Sequence, residues 1–568
     1  MSDSSSTSLK KAIAHHRAGQ LSKAEKLYKA TLRADPKNFD VLNLIGILVH
    51  QRGHFEEALK LFDEAIASKA NVAEVYYNKA NVLKEMDRID EAAATYRTAI
   101  TIKADYIEAH LNLGAMLHTN NQIEAATKAF RTLTTRCPSD ARGHYNLGKC
   151  LHQTGKVDEA GQAFDTALKH NSKDPDTHFA VANLHADMNN TQGAIKHIKT
   201  AIQLKPDWPQ AYSNLGNYLG HEDDFDKALQ AYDKALQLDP GYKSAHVNRG
   251  LTNLTLGNLG KGWDGYSLRY DDPASPHVLR PWPFPKWSSG PLEGKSILVW
   301  ADQGLGDQIL YSSMLEEVAD QTSRCVLECE PRLVTLFARS FENVEVLARS
   351  RANNKLFADD SFHLQTSLVD LGKKLRRTHA SFPKRNSYLE SPQTQTIELR
   401  KKYSAISSGR RVVGISWKST NPRTGALKST SLQEWGPILE TPDAIFVNLQ
   451  YGDCTKEIAT ASKHFSCEII QDSAVNPTKD MDMFAAQVAA MDLVISVSNT
   501  TVHLAGALGV PVWNLVGKGI GRLWYWFLGR NDSPWYPSMR LFRQSKQGEW
   551  GDVLHGVGDV LVADEELK

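Results

Sequence analysis

The feature that most limits what this chain can fold into is a period of 34 residues that runs from near the N-terminus to about residue 270. The small residues Ala12, Gly46, Ala80, Gly114, Gly148, Ala182, Gly216 and Gly250 recur at that spacing without slippage. So do Ala24, Ala58, Ala92, Ala126, Ala160, Ala194 and Ala228, and a bulky series of Tyr28, Phe62, Tyr96, Phe130, Phe164, Ile198, Tyr232 and Tyr266. A unit of this length cannot bury an apolar face alone, so successive units must stack. Small residues let two antiparallel helices approach closely, and the bulky residue is expected to fill the gap between successive pairs. Pro36, Pro138, Pro206 and Pro240 fall where the second helix of a unit must stop.

This is the tetratricopeptide pattern, seven full repeats and a partial eighth without insertions, and it predicts an all-α superhelix over residues 5–270 whose concave face is lined by first helices. In one register of those helices stand Asn78, Asn112, Asn146, Asn214 and Asn248, with Ala180 breaking the series. A primary amide donates and accepts together, as the backbone of an extended peptide requires. The row is therefore expected to be an asparagine ladder for a polypeptide partner, the alternative being that asparagine is simply tolerated on a polar face.

A net charge of +1 with well-mixed signs gives no electrostatic footprint for nucleic acid or an anionic membrane. None of the six cysteines forms a CxxC pair, and Cys325 and Cys329, on one face of an alternating run, read as buried thiols rather than metal ligands. The polar N-terminus carries no apolar signal region, and no stretch approaches the length of a membrane span. The expectation is a soluble cytoplasmic protein without metal or cofactor.

After residue 270 the periodicity gives way to a stiff connector, residues 271–290, containing Pro281-Trp-Pro-Phe-Pro-Lys-Trp287. Two Rossmann-like lobes are expected beyond it, over 291–400 and 408–568. The first opens with the strand Ser296–Trp300 and the turn Ala301-Asp-Gln-Gly-Leu-Gly-Asp-Gln308. Asp302 and Asp307 then stand at a strand's carboxyl end, where α/β sheets place ligands. A carboxylate there repels phosphate but could take a proton from a hydroxyl acceptor, or either Asp could merely cap a helix. The second lobe opens at Arg411-Val-Val-Gly-Ile-Ser-Trp-Lys418, which places Lys418 beside Ser416 to meet a phosphate. Phe446-Val-Asn-Leu-Gln450 is another strand with a polar tip. Val494-Ile-Ser-Val-Ser-Asn-Thr-Thr-Val-His503 reads as a strand, a hydroxyl-rich turn and a helix start, suited to a phosphate or diphosphate through Ser498, Asn499, Thr500 and Thr501. The same residues would serve equally as helix caps, and His503 as an ordinary half-buried histidine. Arg522-Leu-Trp-Tyr-Trp526 and Asp532-Ser-Pro-Trp-Tyr536 form an aromatic segment that either covers a ligand or packs the lobe edge.

Together, Gly304-Leu-Gly-Asp307, Gly414-Ile-Ser-Trp-Lys418, Asn448-Leu-Gln450, Ser498-Asn-Thr-Thr-Val-His503 and Ser533-Pro-Trp-Tyr-Pro537 resemble the bacterial tetratricopeptide proteins with a C-terminal GT-B glycosyltransferase domain, related to the lipopolysaccharide heptosyltransferases and to O-linked N-acetylglucosamine transferase. Within that group the chain looks most like the flagellin glycosyltransferases that transfer a nonulosonic acid such as pseudaminic acid. The resemblance implies a metal-independent transferase with Asp307 as the base, Asp302 as second choice. It also implies a donor-phosphate lysine on or beside Lys418, with Gln450 and the Ser498–His503 turn around the nucleotide. Ser498 stands where heptosyltransferases carry an aspartate, which argues against an ADP-heptose donor. A CMP-linked acid, with its phosphodiester and carboxylate, suits a turn without an anion. Flagellin held on the repeats is the implied protein substrate. A glycolipid or O-linked N-acetylglucosamine-type transferase and a non-catalytic scaffold remain as alternatives.

Overall fold

The computed structural model describes residues 3–280, 282–350, 361–421 and 424–563, so Pro281 of the connector lies outside the described residues. The periodic segment forms eight helical hairpins among them, from Asp3–Arg17 with Leu21–Ala34 to Lys243–Thr255 with Leu259–Tyr266. Each hairpin turn needs one residue of left-handed backbone. It is supplied at 34-residue intervals by Gly19, Gly53, Asp87, Asn121, Gly155, Asn189, Asp223 and Gly257, all with positive φ. Glycine, Asn and Asp are the residues that tolerate that conformation.

The bulky series is buried, but its partner differs from the expectation. At Gly46, Gly114, Gly148 and Gly216 the ring lies against the small residue of its own hairpin. A Cβ on Gly46 would sit 2.6 Å from the Phe62 ring, one on Gly114 2.5 Å from Phe130, and one on Gly216 2.5 Å from Tyr232. A further periodic series escaped the sequence reading. His110, His144, His178 and His246 each point a ring Nε2 at a carbonyl six residues earlier, of Ala104, Pro138, Ser172 and Pro240, at 2.9–3.1 Å. These contacts tie the link between one hairpin and the next to the helix that follows it.

The chain divides into two compact units. One extends to Pro206 and holds the first six hairpins; the other starts at Asp207 and holds the last two hairpins and every described strand. In this second unit the final helix runs into a short 3-10 turn, Ser267–Tyr270, whose Arg269 is fully buried. Its guanidinium donates to Asp370 at 2.7 Å and to Ser367 Oγ at 3.1 Å. Burial disfavours the charge of Asp370, yet Arg269 and Lys286 hold its pKa below the usual carboxylate value. The connector packs down rather than hanging free. Trp282 and Phe284 are buried with Leu298, Trp300 and Val326, and Lys286 bridges to Gln365.

The first sheet comprises β1 (Ser296–Trp300), β2 (Arg324–Cys329), β3 (Val344–Ala348) and β4 (Leu364–Ser367), all parallel in the order β3-β2-β1-β4. Cys325 and Cys329 are buried in β2, and burial pushes both thiols up to about 12, so they stay protonated and inert. The second sheet comprises β5 (Arg411–Ser416), β6 (Ala444–Asn448), β7 (Ile469–Ile470), β8 (Leu493–Val497), β9 (Val512–Val516) and β10 (Met539–Arg543). It is parallel throughout in the order β10-β9-β8-β5-β6-β7. Counted within that sheet, this is the 3-2-1-4-5-6 order of the doubly wound dinucleotide fold, and the order reverses between β5 and β8. Strands β4, β7 and β10 and the closing helix Gly551–Ala563 were not anticipated.

Candidate active site

In a doubly wound sheet, ligands bind beyond the carboxyl ends of the strands where the order reverses, here the turns after β5 and β8. Asn499 caps the helix Thr500–Ala507 by accepting from the Thr501 N–H at 2.9 Å. Its Nδ2 donates across the switch point to Ser416 Oγ at 2.8 Å and to the Lys418 carbonyl at 3.0 Å. Ser416 donates in turn to Gln450 Oε1, which also accepts from the N–H groups of Trp417 and Lys418 at 3.0 and 2.8 Å. Ser498 donates to Asn514 at 2.9 Å and accepts from the Trp526 indole at 3.0 Å. These four side chains are buried and satisfied, Ser416, Gln450 and Asn499 by one another and Ser498 by Asn514 and Trp526, so they form a frame that fixes two turns. What the frame presents outward is the half-buried Thr500 and the start of its helix; Thr501 Oγ is buried without a partner among the described residues.

The two lysines of this region differ sharply. Lys418 is half-exposed and its ammonium pairs with Glu457 at 2.5 Å. Lys428, at the end of the short helix Gly425–Lys428, is 6% exposed and makes no side-chain hydrogen bond or ion pair among the described residues. Burial lowers its pKa, while the field of Asp307 raises it. Sequence reading passed over Lys428 because it lies well beyond the end of β5; a lone lysine in the small, polar run Gly425-Ala-Leu-Lys-Ser-Thr430 was the available signal.

His503 projects from the same helix. It stacks on Trp526 at 5.2 Å and 19°, and its Nδ1 lies 2.9 Å from the Tyr536 hydroxyl. Burial, reinforced by Lys428, drives its pKa down to about 3, so the ring is neutral. Against it lies Gly306, where a Cβ would come 2.7 Å from His503 Cδ2. Gly306 thus answers to a close approach of two helices, Leu305–Ser312 on the first sheet and Thr500–Ala507 on the second. That approach brings Asp307 to the switch point. Burial raises the Asp307 pKa to about 6, with Lys428 opposing the rise and Asp302 adding to it. Asp302 itself is committed: it accepts from the Tyr270 hydroxyl and lies 3.8 Å from Arg269.

Beside Gln450, at the carboxyl ends of β6 and β7, opens a polar cavity of about 320 Å³ lined by Asn448, Gln471, Asp472, Asn476 and Gln487. The aromatic segment packs inward at two of its rings: Tyr525 and Trp526 are buried against His503, while Trp524 is half-buried. Arg543 holds it in place by donating to the carbonyls of Trp526, Phe527 and Arg530 at 2.6–2.9 Å.

The asparagine series separates. In the first unit, Asn78 donates to Asn43 and Asn112 to Tyr77 and Asn81, which staples helices together, while Asn146 donates to the Arg142 carbonyl of its own helix. In the second unit, Asn214 and Asn248 line open cavities, and the Asn248 amide has no hydrogen-bond partner among the described residues. No described group of three or more His, Cys, Asp or Glu side chains could hold a metal ion, and no described helix is long and apolar enough to cross a membrane.

Family models described as tetratricopeptide repeat match residues 9–73, 119–175 and 209–242, and one described as TPR repeat matches residues 80–121. Protein FlbA of Caulobacter vibrioides is 34% identical over 321 residues, covering 54% of this chain and 53% of FlbA, so the chain spans about half the length of this curated relative. Among solved structures, the C-terminal part of a TPR repeat-containing protein from Cytophaga hutchinsonii is 15% identical, with a TM-score of 0.37 over 42% of this chain and 98% of that one. YrrB, a TPR protein with an unusual peptide-binding site, is 22% identical, with a TM-score of 0.29 over 32% of this chain and 95% of that one. The first half is thus a tetratricopeptide repeat scaffold, the region that follows is built on parallel sheets, and such scaffolds generally bind protein partners.

Proposed function

We propose that the chain is a GT-B protein O-glycosyltransferase that moves a sugar from a nucleotide donor to a serine or threonine of a protein held by the repeats. The observation that carries this reading is Asp307: a carboxylate just past the carboxyl end of β1, raised to about 6 by burial against the opposing field of the unpaired Lys428, in the helix whose Gly306 packs on His503. A group with that pKa is mostly ionised at neutrality yet basic enough to take a proton readily. Asp307 removes the proton of the acceptor hydroxyl as its oxygen bonds to the anomeric carbon, and the bond from that carbon to the donor phosphate breaks. The leaving phosphate gains negative charge beside the Lys428 ammonium and the free N–H groups at the start of the helix Thr500–Ala507. The amide-rich cavity beside Gln450 takes the nucleoside. Lys428 supplies the cation that a metal-independent transfer needs, the role for which the family resemblance implied a lysine on or beside Lys418. The donor is a nonulosonic acid such as pseudaminic acid, CMP-linked, and the acceptor is flagellin in the cytoplasm.

The test is the intact mass of flagellin co-expressed with this protein and a nonulosonic acid pathway. A gain of whole sugar residues that disappears with Asp307→Asn and with Lys428→Ala supports the reading. No gain, with flagellin still bound to the repeats, favours a scaffold or another donor.

A further inference from the structure

Two cavities of the second unit are neither donor pocket nor catalytic centre. One, of about 460 Å³, lies between the last two hairpins and the loop after β9, with Phe225, Leu251, Ile520, Leu523 and Trp524 in its walls. The other, of about 400 Å³, has a polar lining that includes Tyr242, Ser244, Arg269, Asp272 and His277. They share Asn217, Asn248 and Leu251, and so form one groove with an apolar and a polar compartment. Tyr266 lies in the wall of the polar compartment, and its hydroxyl accepts from Gln303 at 2.9 Å, in the loop that leads from Asp302 into the helix bearing Asp307. The polar end therefore abuts the loop that leads to the proposed base.

We propose that this groove selects its acceptor by an apolar side chain: an extended polypeptide lies across Asn217 and Asn248, with a large aliphatic or aromatic residue in the 460 Å³ compartment and the modified hydroxyl residue toward the polar end. This rests on the glycosyltransferase reading only for the fate of the hydroxyl residue; the binding preference stands by itself. The shared amides identify the occupant. Asn248 is unpartnered among the described residues and can donate to a carbonyl and accept from an N–H, while Asn217 accepts from Tyr232 at 2.7 Å through its oxygen and retains its NH₂ for a backbone carbonyl. Backbone groups recur at about 3.3 Å per residue in an extended chain, and alternate side chains point to opposite sides. A free sugar or nucleotide would leave the wall of Leu251, Leu523 and Trp524 uncovered, and an acyl chain would leave the amides unpaired. Arg522 anchors the apolar wall: it pairs with Asp223 of the seventh hairpin and lies over the Phe225 ring at 5.1 Å.

A random decapeptide library displayed on phage and selected against the full-length protein, with no donor present, tests this directly. The expected result is an enriched set with a Leu, Ile, Phe, Trp or Met at one fixed position. Binding of a selected peptide should weaken at least tenfold with Leu251→Trp, which fills the compartment, and about fivefold with Asn248→Ala, a polar position whose change leaves the core intact. Enrichment without an apolar preference, binding indifferent to both substitutions, or no enrichment at all would overturn the proposal. A selected set with the predicted signature alongside unmodified flagellin would sink the transferase reading and keep this one.

Discussion

The loop after β1 and the turns after β5 and β8 occupy equivalent places, the carboxyl ends of central parallel strands, yet they handle polar residues in opposite proportions. In the first, one of two carboxylates is committed: Asp302 is held by Tyr270 and Arg269, and Asp307 is left with no ion-pair partner within 4 Å among the described residues. In the second, nearly everything is committed. Ser416, Gln450 and Asn499 satisfy one another, Ser498 is held by Asn514 and Trp526, Lys418 pairs with Glu457, and Lys428 is the one lysine buried there without a partner among the described residues. Two unpaired opposite charges thus face each other across two sheets whose other polar groups are frame. At a site of this kind, the side chain to suspect is the one the framework leaves unsatisfied.

The sharpest way to break that contrast is to remove each member of a pair in turn. Asp307→Asn should lower transfer by roughly 10²- to 10⁴-fold, and Asp302→Asn by no more than about tenfold, measured as single-turnover rates with saturating donor. Equal losses would end the distinction. For the lysines, Lys428→Ala should cost about 10²- to 10³-fold in the same assay. Lys418→Ala, which removes only a half-exposed ion pair, should stay within about threefold; a larger loss would restore it to the site.

Stability separates frame from site by smaller amounts. Asn499→Ala breaks a cap and two buried hydrogen bonds and should destabilise the second unit by about 2–3 kcal/mol in chemical denaturation. Asp307 works the other way. Its folded pKa, about 6, lies above the unfolded carboxylate value, so the folded state holds its proton more tightly and its charged form costs stability as pH rises from about 4 to 6. Asp307→Asn should therefore raise stability at pH 7.5 by on the order of 1–2 kcal/mol and leave it unchanged near pH 4. His503 has the opposite sign: with a folded pKa near 3 its contribution is full above about pH 6.5 and is lost as pH falls toward 3. The transfer rate itself should fall with unit slope below pH about 6, the limb set by Asp307.

The repeats were legible because their packing is periodic: the spacing of Gly46, Phe62 and their counterparts is itself the contact that builds a hairpin. Strands β5, β8 and β9 were legible as β-branched runs, whereas β4, Leu364-Gln-Thr-Ser367, and the two-residue β7 have no such pattern and exist through their neighbours. The turns of the site could be located from sequence, but not which of their residues were occupied. Ser498 and Asn499 read equally as ligand contacts or caps until Asn514, Trp526 and Ser416, far off in sequence, supplied their partners. Lys428 was missed for the same reason: its isolation is defined by what does not reach it in three dimensions.

The buried Arg269 bears on how such proteins can be recombined. It sits at the end of the periodic segment, yet its guanidinium closes on Asp370 and Ser367 beyond the first sheet. An exchange of repeat arrays with its joint at that end would leave Asp302 without its cation and Asp370 with Lys286 alone, at a cost of about 3–5 kcal/mol. A joint near Pro206 would leave that network whole. Hairpins seven and eight, with the groove they form, therefore belong with the sheets in any such exchange, and the six before them are the part to replace.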